Sequence, residues 1–330
     1  MIIGPRPTLG WVGYLMLGGS WYRLATVIGL FGFATIFLVH QGRQAITLHY
    51  TMPVPFPPPV MFLPSPAHAH TTALDACSVE AAGVNPFNPT DRRKVYVFMW
   101  GMTLSPRDVW GRWILGLPKV DMSLVNLPKI VNRTPLESLK GHTTWSGWPD
   151  WVVWAATRVS LLWAAGGMVL PLGAIMTKPL MVDAHGPKSG LVAEAEGGGV
   201  DALLMAAPAH HPVLLALADQ LMNSSIEGNQ GSLLTKVFRE VCSVDNIRDM
   251  PFSDCPQFAV LKGRAVVDFG DADVPQPTGG GTEGFLIRYI GDLHHLQDLR
   301  RTHQLFENNN LHHYCPLTAK YVETLWRDSF

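Results

Sequence analysis

An excess of either charge is missing from this chain: 25 Lys and Arg stand against 26 Asp and Glu in 330 residues, a net of −1. A nucleic-acid partner needs a basic field, so no nucleic acid is expected. Cysteine is scarce, with only Cys77, Cys242, Cys255 and Cys315 and no Cys-x-x-Cys among them. That spacing argues against a zinc ribbon, while the even count fits either two disulfides or buried free thiols. If bridges form, the short loop between Cys242 and Cys255 makes them the preferred pair, leaving Cys77 for Cys315. Two glycine-rich patches, 194–199 and 275–281, lack the Lys-Ser/Thr that follows a phosphate-binding loop and read as plain loops. The pairs His210-His211, His294-His295 and His312-His313 do not read as zinc ligands, because adjacent side chains diverge on a regular element.

Apolar residues are plentiful, at 47% of the chain. Leu24 to Val39 is an uncharged run flanked by Arg23 and Arg43, slightly short for a bilayer but extendable by Arg23, Trp21 and Tyr22. It reads as a retained signal anchor, with a cleaved signal peptide as the competitor. The arginines before it place residues 1–23 in the cytoplasm. Pro53, Pro55, Pro57, Pro58, Pro59, Pro64 and Pro66 make 40–72 an extended stem, and 73–330 is then the lumenal domain. Asn132-Arg-Thr134 and Asn223-Ser-Ser225 are glycosylation sequons that fit this address.

Beyond the stem, apolar runs alternate between the strand and helix periods. Ala76–Ala82 reads as a short helix and Lys94–Met99 as a buried parallel strand. Trp151–Trp163 has helical spacing, and Gly166-Gly167 can take the positive φ of a helix end. Val169–Leu180 and Val200–Met205 read as strands, and Pro212–Met222 and Leu233–Val241 as helices. The expectation is an α/β domain with a mainly parallel sheet. Val159–Met176 is uncharged and long enough to suggest a second membrane span, but Gly166, Gly167, Pro171 and Gly173 would interrupt it, so it is assigned to the core.

Five ordered blocks carry a family resemblance. Cys77-Ser-Val-Glu80-Ala-Ala82 with Val95-Tyr-Val comes first, then Arg158 with Leu162-Trp163 and Gly166-Gly167. Lys178-Pro179-Leu180 follows, and Gly228-Asn229-Gln230-Gly231 with Leu233-Leu234-Thr235-Lys-Val-Phe238 and Cys242 is the most specific. Tyr314-Cys315-Pro316-Leu-Thr318 closes the series. Together they resemble the α-1,4-glycosyltransferases, which implies a type II Golgi membrane protein with a UDP-sugar-binding, glycosyltransferase-A-like domain. Such a domain transfers galactose or N-acetylglucosamine to a glycolipid or glycan, with manganese as cofactor. The resemblance places Arg158, Asn229, Gln230 and Gly231 near the donor, and Asp201 and His295 toward the acceptor. Read by itself, Arg158 is first a packed or ion-paired helix residue and second a diphosphate contact, while Asn229 and Gln230 have an ordinary helix N-terminus, with Asn229 as its cap, as the alternative.

The departures fall where chemistry is expected. The family's metal-binding Asp-x-Asp is Pro171-Leu172-Gly173 here, and none of these side chains is an oxygen ligand. The family's Ser-Asp before the arginine is Trp154-Ala155, its Asn-Gly is Asp201-Ala202, and its His-hydrophobic-Trp-Asn is His295-Leu296-Gln297-Asp298. Asp183, His185, Glu194 and Glu196 read as solvated loop residues rather than replacement ligands. A second reading follows: a non-catalytic lumenal protein that keeps the fold and binds a glycosyltransferase or a glycan.

Topology gives the first test. With a single span at 24–39, Asn132→Gln and Asn223→Gln should each remove one glycosidase-sensitive mass increment. Protease access to the Asn223 region in sealed vesicles would refute the single-span topology.

Overall fold

The computed structural model describes residues 59–66, 70–83, 94–100, 108–141, 148–177, 190–195, 198–223, 229–252, 255, 258–261, 265–269, 286–290 and 296–328. The chain divides into two compact units, Met1–Thr51 and Met52–Phe330, and every described residue lies in the second. The expected anchor at 24–39 is outside the described residues. Among those described, no helix is long and apolar enough to cross a membrane.

The strands are β1 (Val60–Phe62), β2 (Val95–Trp100), β3 (Val120–Val125), β4 (Gly167–Leu170), β5 (Ala174–Met176), β6 (Gly190–Glu194), β7 (Val200–Ala207), β8 (Phe258–Leu261), β9 (Val266–Phe269) and β10 (Leu286–Tyr289). The helices are α1 (Ala73–Gly83), α2 (Val109–Gly116), α3 (Leu127–Ile130), α4 (Asp150–Ala165), α5 (Pro212–Asn223), α6 (Gln230–Cys242), α7 (Leu299–Asn308) and α8 (Pro316–Arg327). A central sheet runs β3-β2-β1-β4-β7-β6-β8 and a smaller one runs β5-β10-β9. In the central sheet β3, β2, β1 and β4 are parallel, β7 is antiparallel to both β4 and β6, and β6 pairs in parallel with β8. The mixed α/β class with a mostly parallel sheet is therefore present.

The folded unit starts earlier than the proline pattern suggests. Val60, Met61 and Phe62, inside the segment read as stem, form a strand between β2 and β4 and are buried. Prolines at 59 and 64 flank this strand without interrupting it, so Val60 and Leu63 still donate to Lys94 O and Leu170 O. Two indoles fasten the chain just beyond: Trp154 Nε1 donates to Leu63 O at 2.9 Å and Trp100 Nε1 to Pro64 O at 2.8 Å. Burial of both faces explains why β1 and β2 carry continuous apolar residues.

Helix α4 runs into β4 through Gly166 and Gly167, whose φ values are 63° and 92°. Gly166 N–H donates to Leu162 O at 2.8 Å, the expected helix end. At Gly167 the need is for space as well, since a Cβ there would lie 2.3 Å from Pro59 O. The expected single strand over Val169–Leu180 is instead two. β4 ends at Leu170, a turn follows, and β5 leaves for the smaller sheet. Val159–Met176 is thus helix, strand, turn and strand in the core.

Helix α1 is buried along nearly its whole length, including Asp75, Ser78 and Glu80. Cys77 is bonded to Cys315, and Cys242 to Cys255. One turn beyond Cys77, Glu80 accepts from Leu317 N, Thr318 N and Thr318 Oγ1 at 2.8, 2.7 and 2.6 Å. A carboxylate at a helix N-terminus satisfies amides that have no partner within the helix, and it lies at the positive end of the helix dipole. Burial raises the Glu80 carboxyl pKa, and the three donors offset only part of that rise. Trp113 extends the contact, donating from Nε1 to Thr318 Oγ1 at 3.1 Å and stacking on Tyr321. Replacing Glu80 with Gln turns one acceptor into a donor facing other donors, so Glu80→Gln should cost about 1–3 kcal/mol. Urea unfolding under non-reducing conditions measures it, and an unchanged midpoint would contradict the capping role.

Candidate functional site

In open α/β sheets ligands bind beyond the carboxyl ends of the parallel strands. β1 and β4 end together there, with Phe62 opposite Leu170. β7 runs the other way, pairing Met205 with Val169, so its first residues, Val200 to Ala202, reach this same edge. Helix α6 begins beside them: Val200 N–H donates to Thr235 Oγ1 at 2.9 Å, and a Cβ on Gly231 would lie 3.5 Å from Val200 O. The edge therefore gathers the 171–173 turn, Asp201-Ala202 and Asn229–Gly231, with Arg158 reaching Ala202 from α4.

The turn itself offers no metal site. Gly173 has φ 82°, and Ala174 N–H donates to Pro171 O at 3.4 Å, closing a tight turn that favours glycine at this position. Gly173 N–H donates to Ser78 Oγ at 3.2 Å, and a Cβ here would lie 3.5 Å from Asp75 Oδ1. The other Asp75 oxygen accepts from Thr72 N and Thr72 Oγ1 at 2.7 and 2.9 Å, capping α1. Among the described residues no group of three His, Cys, Asp or Glu is placed to hold a metal ion. The manganese implied by the resemblance does not fit the side chains of 171–173.

The other polar loop residues divide. Glu194 is buried and accepts from Arg248 Nε at 2.6 Å, so it is an ion-pair partner rather than a solvated residue. Asp183, His185, Glu196, His294 and His295 lie outside the described residues, as do Asp271 and Asp273, where the sequence does spell Asp-x-Asp. His210 packs edge-on against Trp163, while His211 Nδ1 accepts from Val213 N at 3.1 Å at the start of α5. Burial pushes the His211 pKa down, favouring the neutral ring that accepts this bond. His312 and His313 lie in a 3-10 turn. Neither described pair joins a metal-binding cluster.

Arg158 is the packed helix residue of its first reading. It sits mid-helix on α4 at 1% exposure, among the largest fully buried side chains. One nitrogen, Nη1, donates to Ala202 O at 2.5 Å, and the guanidinium carbon lies 5.1 Å from the Trp154 ring centroid. Nε and Nη2 have no hydrogen-bond partner among the described residues. Burial lowers its pKa to about 9 while Asp201 acts to raise it, so the group is charged at neutral pH. Asp201 also favours the charged form of Arg288, whose Nε and Nη2 grip both oxygens of Asp268 at 2.7 Å each.

Asn229 is the N-cap of α6. Its Oδ1 accepts from Ser232 N at 2.9 Å, and its own N–H donates to Ser232 Oγ at 3.3 Å. Gln230 and Gly231 open the helix and are partly exposed. Asn132 lies in the turn after α3, with the Thr134 hydroxyl of its sequon donating to Val131 O at 2.6 Å. Asn223 is the last residue of α5. Two partners went unread in the sequence, Asp75 and Ser78. The Thr72-x-x-Asp75 spacing marks a helix cap and could have identified Asp75.

No family model matches the chain. It is 28% identical over 233 residues to the rat (Rattus norvegicus) lactosylceramide 4-alpha-galactosyltransferase, covering 63% of this chain and 60% of the relative. The mouse (Mus musculus) protein of the same name is 28% identical over 222 residues, covering 60% and 59%. The chain thus spans about 60% of the length of these relatives. Among solved structures, the galactosyltransferase LgtC with donor and acceptor sugar analogues aligns at TM-score 0.39 and 12% identity, covering 76% of this chain and 95% of that one. The PaToxG glycosyltransferase aligns at 0.36 and 13%, covering 66% and 79%. Both relatives are named as 4-alpha-galactosyltransferases, which agrees with the α-1,4-glycosyltransferase resemblance of the motif blocks.

The turn supplies its own test. Asp at Gly173 would hold a branched side chain at positive φ beside Asp75, a strain of about 1–3 kcal/mol. The Pro171→Asp/Gly173→Asp variant should therefore melt lower than the parent and leave the free-ion resonance spectrum of added manganese unchanged. Tight manganese binding with undiminished stability would show that the turn accommodates the carboxylate pair after all.

Proposed function

We propose that this chain is a Golgi membrane glycosyltransferase homologue that takes a UDP-hexose donor at the carboxyl edge of its central sheet. In this reading it transfers galactose or N-acetylglucosamine in α-1,4 linkage to a galactose-ended glycolipid or glycan. The sequence relation to two lactosylceramide 4-alpha-galactosyltransferases is the observation that carries it. The edge fits the reading in its parts. Gly231 keeps α6 close to Val200, which leaves Gln230 and the first helical amides beside Asp201. Helix N-terminal amides favour an anionic group. The resemblance assigns Asp201 and His295 to the acceptor side, and Asp201, which is partly exposed, favours the charged forms of both Arg158 and Arg288.

Transfer from UDP-galactose or UDP-N-acetylglucosamine to lactosylceramide, measured with and without manganese, tests the proposal. Asp201→Asn should lower the rate by about 10²-fold if its charge acts on the reacting groups. No transfer by folded protein from either donor would sink the enzymatic reading.

The turn at 171–173 favours a second reading: a lumenal protein that retains the scaffold and binds a glycan or a glycosyltransferase without catalysis. Its signature is a folded chain that captures a partner enzyme or glycan and turns over neither donor.

A further inference from the structure

A buried arginine is costly unless its donors are used, and Arg158 uses one nitrogen while two stay unpartnered among the described residues. Which two is informative. Nε and Nη2 form one straight side of the guanidinium, the side that meets two oxygens of a planar or tetrahedral anion in parallel. Arg288 demonstrates this use in the same molecule, since its Nε and Nη2 hold both oxygens of Asp268. Arg158 presents the same side with its remaining arm anchored to the backbone of β7 and its flat face toward Trp154. The group is thus fixed in orientation and charged.

The surroundings say which anion this side serves. It lies at the edge where β4 ends in a turn with no carboxylate, and where α6 presents its N-terminus. Resting on the donor-site reading above, the geometry points to a nucleotide site independent of divalent cations, in which the Nε/Nη2 side of Arg158 takes two oxygens of the donor diphosphate. The positive charge that a bridging cation would otherwise bring to the phosphates comes from the protein. At 1% exposure Arg158 lies away from water, in surroundings where charge-assisted hydrogen bonds are strongest. Asp201 is the competing anion, since it already acts on Arg158 through space.

Calorimetric titration of the full chain with UDP, uridine and pyrophosphate, each in EDTA and in manganese, tests this. UDP and pyrophosphate should bind in EDTA, with affinities within about threefold of those in manganese after correction for manganese–ligand complexes. Arg158→Lys should weaken both by about tenfold or more and leave uridine unaffected, because the ammonium keeps the charge and loses the two-point grip. Asp201→Asn should tighten pyrophosphate by removing the competitor. Binding that appears only with manganese overturns the inference and points to ligands outside the described residues. UDP binding that Arg158→Lys leaves intact also overturns it, while the donor-site reading survives. Pyrophosphate bound through Arg158 without any preference for UDP keeps the anion seat and removes the nucleotide reading instead. Should Arg158→Lys fail to fold, the EDTA and manganese comparison on the parent chain still decides.

Discussion

Helix α1 is the constraint on which this molecule turns, and the Glu80 carboxylate is its anchor. The helix is almost wholly buried, so each polar group on it must meet a partner inside the protein. Glu80 reaches the first amides of α8, Cys77 is bonded to Cys315 just before that helix, and Ser78 receives the amide of Gly173 at the end of β4. Three consecutive structural problems are solved within four residues. Helix α8, the central sheet edge and α1 are joined through them.

That arrangement explains what the motif blocks mean. Cys77–Ala82 and Tyr314–Thr318 are far apart in sequence yet form the two halves of a single junction. The Asn229–Cys242 block works similarly: Asn229 caps α6, Thr235 accepts the Val200 amide, and Cys242 is bonded to Cys255. The blocks that carry the resemblance therefore mostly encode scaffold. Of the positions that differ from the family pattern, 171–173 and Asp201-Ala202 lie at one edge of the sheet, with Trp154 beside the Arg158 that reaches it. A chain can keep the first set and alter the second, because backbone capping and disulfide bonding set no requirement on the chemistry performed at the strand ends.

Much of this was legible in the sequence, and the rest was hidden for identifiable reasons. The strand at 94–99, the helix before Gly166-Gly167, and the helices of α5 and α6 announce themselves by periodicity and by glycine at the helix end. β1 does not, since a three-residue strand between prolines is too short for any period, and its assignment rests on partners β2 and β4 supplied from afar. α7 and α8 escaped because their buried residues are few: α7 packs on α8, and α8 on α1 and the tryptophans of α2. At the edge, Asp201 and Arg158 were readable as individuals from the family pattern. Their electrostatic relation was not, because 43 residues separate them and only the antiparallel return of β7 brings the two together. Asn229 suits a ligand or a cap by its side chain alone, and its oxygen serves as the cap.

The bond between Cys77 and Cys315 spans 238 residues of sequence, and this has a consequence for the order in which the molecule can be completed. During synthesis α1 emerges long before the segment that carries its thiol partner and the amides that Glu80 accepts from. Until then the apolar residues of this helix and its free thiol have no finished environment, the kind of surface that chaperones recognise. Maturation of this chain is therefore gated by its last elements: damage there is felt first at residues near position 77, and a thiol left reactive at Cys77 is a chemical label for molecules that never closed.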